Sequence, residues 1–217
     1  MKERPIIFSG EMVRAILDRR KTQTRRVIKP QPDLYHGRGA YEGQVFWAFC
    51  KGRKVIEDSI HSDWPDCLIK YCPYGQPGDR LWVKENAQIS PKHWGDKLYS
   101  THYDYDMDHR VVSYCADYKS GRSDAADDYG IKITPSIFMP RWASRILLEV
   151  TARRAERLQE ISEEDAIAEG IKNIDYPWGA VGEFATLWNS INAKRGYPWK
   201  NNDWVWVIEL KRLETKR

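Results

Sequence analysis

Ser9-Gly10-Glu11-Met12-Val13-Arg14-Ala15-Ile16-Leu17-Asp18-Arg19-Arg20-Lys21-Thr22-Gln23-Thr24-Arg25-Arg26 is the stretch on which the fold turns. Ser9 supplies an N-cap, Glu11 lies near the positive helix end, and Met12, Val13, Ile16 and Leu17 recur at helical spacing. After Leu17 the apolar face stops, and alternating Thr22, Thr24, Arg26 and Ile28 predict a strand that ends at Pro30. Lys21 falls at the junction. Inside one regular strand Lys21 and Thr24 point to opposite faces, so they converge only if the helix exit turns between them. On residue types alone, the cations are also explained as a solvated face that complements the helix C-terminal dipole.

Working outward, the pattern predicts a first strand at Ile6-Ile7-Phe8 and a hairpin of Gln44–Phe49 with Arg53–Ile56 around Lys51-Gly52. A core strand follows at Arg80-Leu81-Trp82-Val83, with loops and one hairpin including Val111–Tyr114 over residues 87–133. Ser144–Thr151 predicts a strand, and Ser162 with Asp165 opens a helix that stops at Gly170. Glu183–Ala193 is amphipathic through Phe184, Leu187, Trp188 and Ile191, and a last strand begins at Asp203. Trp204, Trp206 and Ile208 share one face of that strand and are expected in the core.

The helix-to-strand stretch resembles the signature of the ASCH family of PUA-like domains, G-x-K-x-x-E-x-R. Lys21 falls on its lysine, Arg26 on its arginine, Thr24 on its glutamate and Arg19 on its glycine. A threonine there makes Ile16–Arg26 similar to the branch of small N4-acetylcytidine amidohydrolases, in which the lysine, this threonine and a distant glutamate act together. Leu158–Ile171 is similar to the segment that carries that glutamate, and the match falls on Glu169. Gly78–Glu85 and Asp203–Leu210 resemble two further strands of the family. With Cys72-Pro73-Tyr74-Gly75 and Pro135–Ala143, the pattern resembles longer ASCH-type proteins carried by phages and prophages. The resemblance implies an α+β fold, a PUA-like mixed β-barrel with flanking helices. One domain spans 1–217, with insertions at about 30–75, 87–133 and 173–182.

It also implies a function: hydrolysis of the acyl amide of an N4-acylated cytosine nucleoside or base in nucleic acid. Thr24 is a weak nucleophile that needs a base, and Lys21 serves if burial and Arg20, Arg25 and Arg26 hold it neutral. Glu169 either orients Lys21 or delivers a proton to the leaving amine; as an anion beside Lys21 it raises that lysine's pKa, so the two roles compete. Arg26 or a backbone amide serves the oxyanion or a substrate phosphate. Arg20 and Arg25 are further candidates for substrate or nucleic-acid contact, and Trp142, after Pro140-Arg141, is a candidate for stacking on a base. The alternative is a non-catalytic RNA- or DNA-binding module that holds a modified base in the same place. A ribonuclease is less well supported, because no histidine lies in the matched blocks.

Composition sets limits around these choices. The formal net charge is only +4 over 217 residues, but residues 1–30 hold nine cationic side chains against three acidic ones, and residues 104–128 are rich in aspartate. One basic face able to meet phosphate is expected, not a general polyanion binder. No run of about 18 apolar residues occurs. The apolar run Ile6-Ile7-Phe8 is too short for a signal segment. A cytoplasmic protein without a membrane partner is expected, its oligomeric state open. Cys50, Cys67, Cys72 and Cys115 are expected as free thiols. Cys67 and Cys72, with His61 and Cys50 nearby, are weak zinc candidates because their spacing misses C-x2-C. Asp104-Tyr105-Asp106-Met107-Asp108 begins like a calcium loop, yet His109 replaces the turn glycine. No phosphate loop is present, and no cofactor or metal is expected.

Overall fold

The computed structural model describes residues 1–36, 45–51, 54–59, 66–90, 104–105, 111–123, 127–128, 130, 131–172 and 178–214. It is a mixed α+β protein whose chain divides into two compact units. The first comprises residues 1–21, 78–150 and 211–217, and the second residues 22–77 and 151–210.

In the first unit, β1 (Glu3–Ile7) runs parallel to β6 (Arg80–Lys84), and β6 is antiparallel to the start of β11 (Leu147–Arg157). A four-stranded antiparallel sheet, β10–β7–β9–β8, is built from Ile133–Thr134, Ala87–Ile89, Val111–Tyr114 and Asp104–Tyr105. Its core gathers Ala87, Val112, Tyr114, Met139 and Ala143. Arg145 ties this part together by reaching Glu85 at 3.0 and 3.1 Å and Asp117 at 2.7 Å through two nitrogens, while its guanidinium lies 3.9 Å from the Tyr114 ring centroid.

Helix α1 (Gly10–Leu17) buries Val13, Ala15 and Ile16. Its exit has a defined geometry. The Arg19 amide donates to the Ile16 carbonyl at 3.1 Å, the Arg20 amide donates to the Ala15 carbonyl at 2.9 Å, and Arg19 has φ +60°. This is a Schellman stop with arginine at the left-handed position that glycine normally takes.

In the second unit, β2 (Gln23–Val27) pairs antiparallel with β12 (Trp204–Leu213), with Thr24 opposite Ile208 and Arg25 opposite Val207. A separate sheet, β3–β4–β5, consists of Asp33–His36, Val45–Lys51 and Lys54–Ser59, all antiparallel. The two strands expected on either side of Lys51-Gly52 do pair, with a register shift between Phe49 and Cys50, and the second runs from Lys54 to Ser59; Gly52 and Arg53 lie outside the described residues.

Helix α2 (Glu163–Ala168) starts where Ser162 Oγ accepts from the Asp165 amide at 3.1 Å, and stops at Gly170 with φ +94°. Helix α3 (Gly179–Asn192) begins four residues before the expected Glu183. Its start is capped from a distance, because the Glu163 carboxylate accepts from the Ala180 amide at 2.6 Å and the Val181 amide at 3.4 Å. Phe184 and Trp188 of α3 pack with Leu158, Ile161, Ala166 and Ile171 against Val205 and Val207.

Strand β11 contributes residues 147–150 to the first unit and 151–157 to the second; β12 likewise contributes to both. Trp204, Trp206 and Ile208 are buried as expected, and so are Val205 and Val207, so β12 is covered on both faces. Strand orders β1–β6–β11 in the first unit and β11–β12–β2 in the second are open. Among the described residues no sheet closes into a barrel. No helix among them is long and apolar enough to cross a membrane.

Candidate functional site

Strand alternation divides β2 into two faces: Thr24 and Arg26 on one, Gln23, Arg25 and Val27 on the other. The second face is the one opposite Val205 and Val207, so Arg25 enters the apolar layer beneath α2 and α3. A lone guanidinium there is prohibitively costly, and the second unit surrounds it with acceptors.

The Arg25 side chain is fully buried. Its Nε donates to Glu156 Oε1 at 3.0 Å, and its Nη2 donates to the same oxygen at 2.6 Å and to Asp165 Oδ2 at 2.7 Å. Nη1 donates to Gln23 Oε1 at 2.6 Å and to Glu169 Oε1 at 3.4 Å. The Phe184 ring centroid lies 5.9 Å from the guanidinium carbon. Arg154 extends the network to Glu156 Oε2 at 2.7 Å, Asp165 Oδ2 at 2.8 Å and Glu209 Oε1 at 3.2 Å. Burial pushes the Asp165 carboxyl up, but hydrogen bonding and the charge of Arg25, aided by Gln23 and Arg154, outweigh it and hold the carboxyl below its ordinary value.

Glu169 is the residue that ends α2. Its backbone N–H donates to the Asp165 carbonyl at 2.9 Å, and its side chain is 5% exposed. A carboxylate 144 residues away in sequence is thus brought to β2. Alongside, the Thr22 amide donates to the Ala168 carbonyl at 2.8 Å, and the Leu210 amide donates to the Thr22 carbonyl at 2.7 Å, which fixes the entry to β2 from both sides. Thr24 is 3% exposed. Burial lowers the Arg26 guanidinium pKa, with Tyr74 and Glu169 acting in the opposite sense and Arg195 reinforcing the drop. Burial raises the Tyr74 phenol, Arg26 pulls it back and Cys72 adds to the rise, so Tyr74 is a neutral hydrogen-bonding group at neutral pH.

Lys21 is the last residue of the first unit. Its amide donates to the Ala15 carbonyl at 3.0 Å, its side chain is buried to 5% exposure, and its ammonium lies 5.6 Å from the Phe8 ring centroid. Arg20 is partly exposed and pairs with Asp18 at 3.1 Å. Trp142, in the short turn Arg141–Ala143, is 38% exposed.

Thr24, Arg25, Arg26 and Glu169 therefore belong to one unit, and Arg25 and Glu169 are in direct contact. Arg25, expected to meet substrate, instead has every guanidinium nitrogen engaged by side chains of its own unit. Glu156, Arg154 and Tyr74 carried no local sequence signal for the site, and Asp165 was legible only as part of a helix start. The usable clue was the register: Arg25 shares a strand face with core valines, which demands buried carboxylates.

Among the described residues no group of three or more His, Cys, Asp or Glu gathers to hold a metal ion. Cys72 and Cys115 are buried free thiols; the side chains of Cys50, His61 and Cys67 lie outside the described residues, as do those of the calcium-loop candidate Asp104–Asp108. Comparison with protein-family models, curated proteins and solved structures gives no match for this chain.

Proposed function

We propose that the chain is an amidohydrolase that removes the acyl group from an N4-acylated cytosine, with a PUA-like ASCH relationship behind the arrangement of β2 and α2. The observation that carries the proposal is the burial of the Thr24 hydroxyl and the Glu169 carboxylate in one unit, where Glu169 meets Arg25 on one face of β2 and its charge also acts on Arg26, on the Thr24 face. Supporting it, three polar side chains of the family pattern, Lys21, Thr24 and Glu169, are each at most 5% exposed, where burial without use is costly.

In this mechanism the Thr24 hydroxyl attacks the acyl carbonyl and passes its proton to Lys21, three residues upstream, acting as the neutral amine. The C–O bond formed gives a tetrahedral oxyanion whose charge Arg26 offsets. Collapse breaks the C–N bond, and the departing cytosine N4 takes the proton back from Lys21. Water then hydrolyses the threonine ester and regenerates the hydroxyl. Glu169, ion-paired with Arg25 at 3.4 Å, serves the departing cytosine amine. Arg25 is a positioning residue.

Turnover of N4-acetylcytidine by purified protein tests this. Lys21→Ala, Thr24→Ala and Glu169→Ala are each expected to lower kcat/KM by about 100-fold or more, the range for loss of a proton-transferring or nucleophilic group. Unchanged turnover in all three eliminates the site. Oligonucleotide binding without turnover replaces the hydrolase with a modified-base binding module.

A further inference from the structure

The segment Lys194-Arg195-Gly196-Tyr197-Pro198-Trp199-Lys200 follows α3 in the second unit and places three cations in seven residues with no acid among them. Lys194, Arg195 and Lys200 are exposed and make no ion pair among the described residues. The backbone that carries them is nonetheless fixed. The Gly196 amide donates to the Ala193 carbonyl at 3.1 Å and the Tyr197 amide to the Asn192 carbonyl at 3.2 Å, with Gly196 at φ +89°. Trp188 Nε1 donates to the Tyr197 carbonyl at 2.9 Å, Asn189 Oδ1 accepts from the Trp199 amide at 2.8 Å, and Gln159 Nε2 donates to the Trp199 carbonyl at 2.9 Å. Lys29, just past β2, sets its ammonium 4.8 Å from the Tyr197 ring centroid.

A helix C-terminal dipole accounts for cations at Lys194 and Arg195, but not at Lys200 or Lys29. A rigid loop that spaces unpaired cations beside an aromatic ring suits a phosphodiester backbone, because charge neutralisation supplies affinity and the ring offers a stacking face. No large apolar side chain between residues 193 and 201 is exposed, so the loop lacks the wedge with which a lipid surface is entered. The field of Arg195 reaches Arg26 on the Thr24 face of β2, so the loop and the candidate site belong to one electrostatic neighbourhood.

We propose that Lys29, Lys194, Arg195 and Lys200, with Tyr197, form a docking surface for single-stranded nucleic acid. Resting on the hydrolase assignment, this makes the acylated cytosine a residue of a polymer. A single strand is required because the N4 group lies on the pairing edge of the base and is reached only when the base is unpaired.

The test is fluorescence anisotropy with a labelled, unmodified oligocytidylate RNA, titrated over a range of monovalent salt. Because this probe carries no acyl group, its binding is scored whether or not the protein hydrolyses anything. For Lys194→Gln/Arg195→Gln/Lys200→Gln, the slope of log K against log salt should fall by about 2, and affinity at about 0.1 M salt by roughly 100-fold, at ~0.7 per single-strand contact. The matched variant Lys119→Gln/Lys132→Gln/Lys211→Gln, which removes the same charge from exposed positions of the other unit, should change affinity less than about threefold. Should the first variant melt early, exposed Lys200→Gln alone carries the test with a loss of about fivefold. Equal losses in both triple variants, no loss in either, no binding by the unaltered protein, or tighter binding to polyglutamate or anionic vesicles each overturn the assignment.

Discussion

Replacing Arg25 with methionine is expected to destabilise the protein severely, and the size of the effect follows from its contacts. The side chain is fully buried and donates to Glu156, Asp165, Glu169 and Gln23, so its removal takes a cation from three carboxylates, of which Glu156 and Asp165 keep Arg154. Breaking a buried ion pair by deleting one partner costs about 3–5 kcal/mol. At ~2–4 °C per kcal/mol for a chain of this length, that is a fall of about 6–20 °C in Tm. Thermal and urea melts followed by circular dichroism read it directly. Arg25→Lys retains the charge but not the planar fork, so it should fall between the two. In Arg25→Met/Glu169→Gln, part of the loss should return, because one of the stranded charges has gone. A loss of less than about 1 kcal/mol in Arg25→Met refutes the reasoning and returns Arg25 to the role of a substrate contact.

Three further outcomes follow from other places in the fold. Arg19→Gly should stabilise by about 1 kcal/mol in urea denaturation, since it relieves a left-handed non-glycine at α1's exit and gives up only an exposed pair with Glu214 at 3.3 Å. Gly179→Ala should destabilise by more than Glu163→Gln, because a Cβ at φ +62° comes within 2.6 Å of Glu163 Oε1, while the amide variant keeps an acceptor and loses about 1 kcal/mol of helix-start charge. Asp165 has a folded pKa below its ordinary 3.8, so its contribution is fully present above that value and is lost as pH falls through the lower folded one. The stability gap between the unaltered protein and Asp165→Asn, read from urea melts at stepped pH, should therefore shrink on acidification. A gap that widens contradicts the sign.

The elements that were legible in the sequence are those whose causes are local. Helix α1 and strand β2 follow from a change of apolar period on either side of Asp18, α2 from Ser162 and Gly170, and the β4–β5 hairpin from two β-rich runs around Lys51-Gly52. Where the cause is distant, the boundaries moved. Helix α3 starts early because Glu163, 17 residues upstream, caps Ala180. Strand β11 starts at Leu147, not Ser144, because Ser144 closes the preceding turn, its amide donating to the Arg141 carbonyl at 3.1 Å, and it runs on to Arg157 past the paired Arg154 and Glu156. The same division applies to the site. Lys21, Thr24 and Glu169 are candidates through a resemblance alone, whereas Glu156 and Asp165, 131 and 140 residues from Arg25, leave no mark on the sequence around it.

The way Arg25 is enclosed sets the smallest portion of this protein that an engineer can transplant. Copying Lys21–Arg26 onto a foreign scaffold imports a cation with nothing to shield it, and the recipient is expected to open at that strand. A graft that also brings Glu156, Asp165 and Glu169 carries its own counterions. The transferable module is therefore a patch of three separate chain segments, not the short motif that first draws the eye.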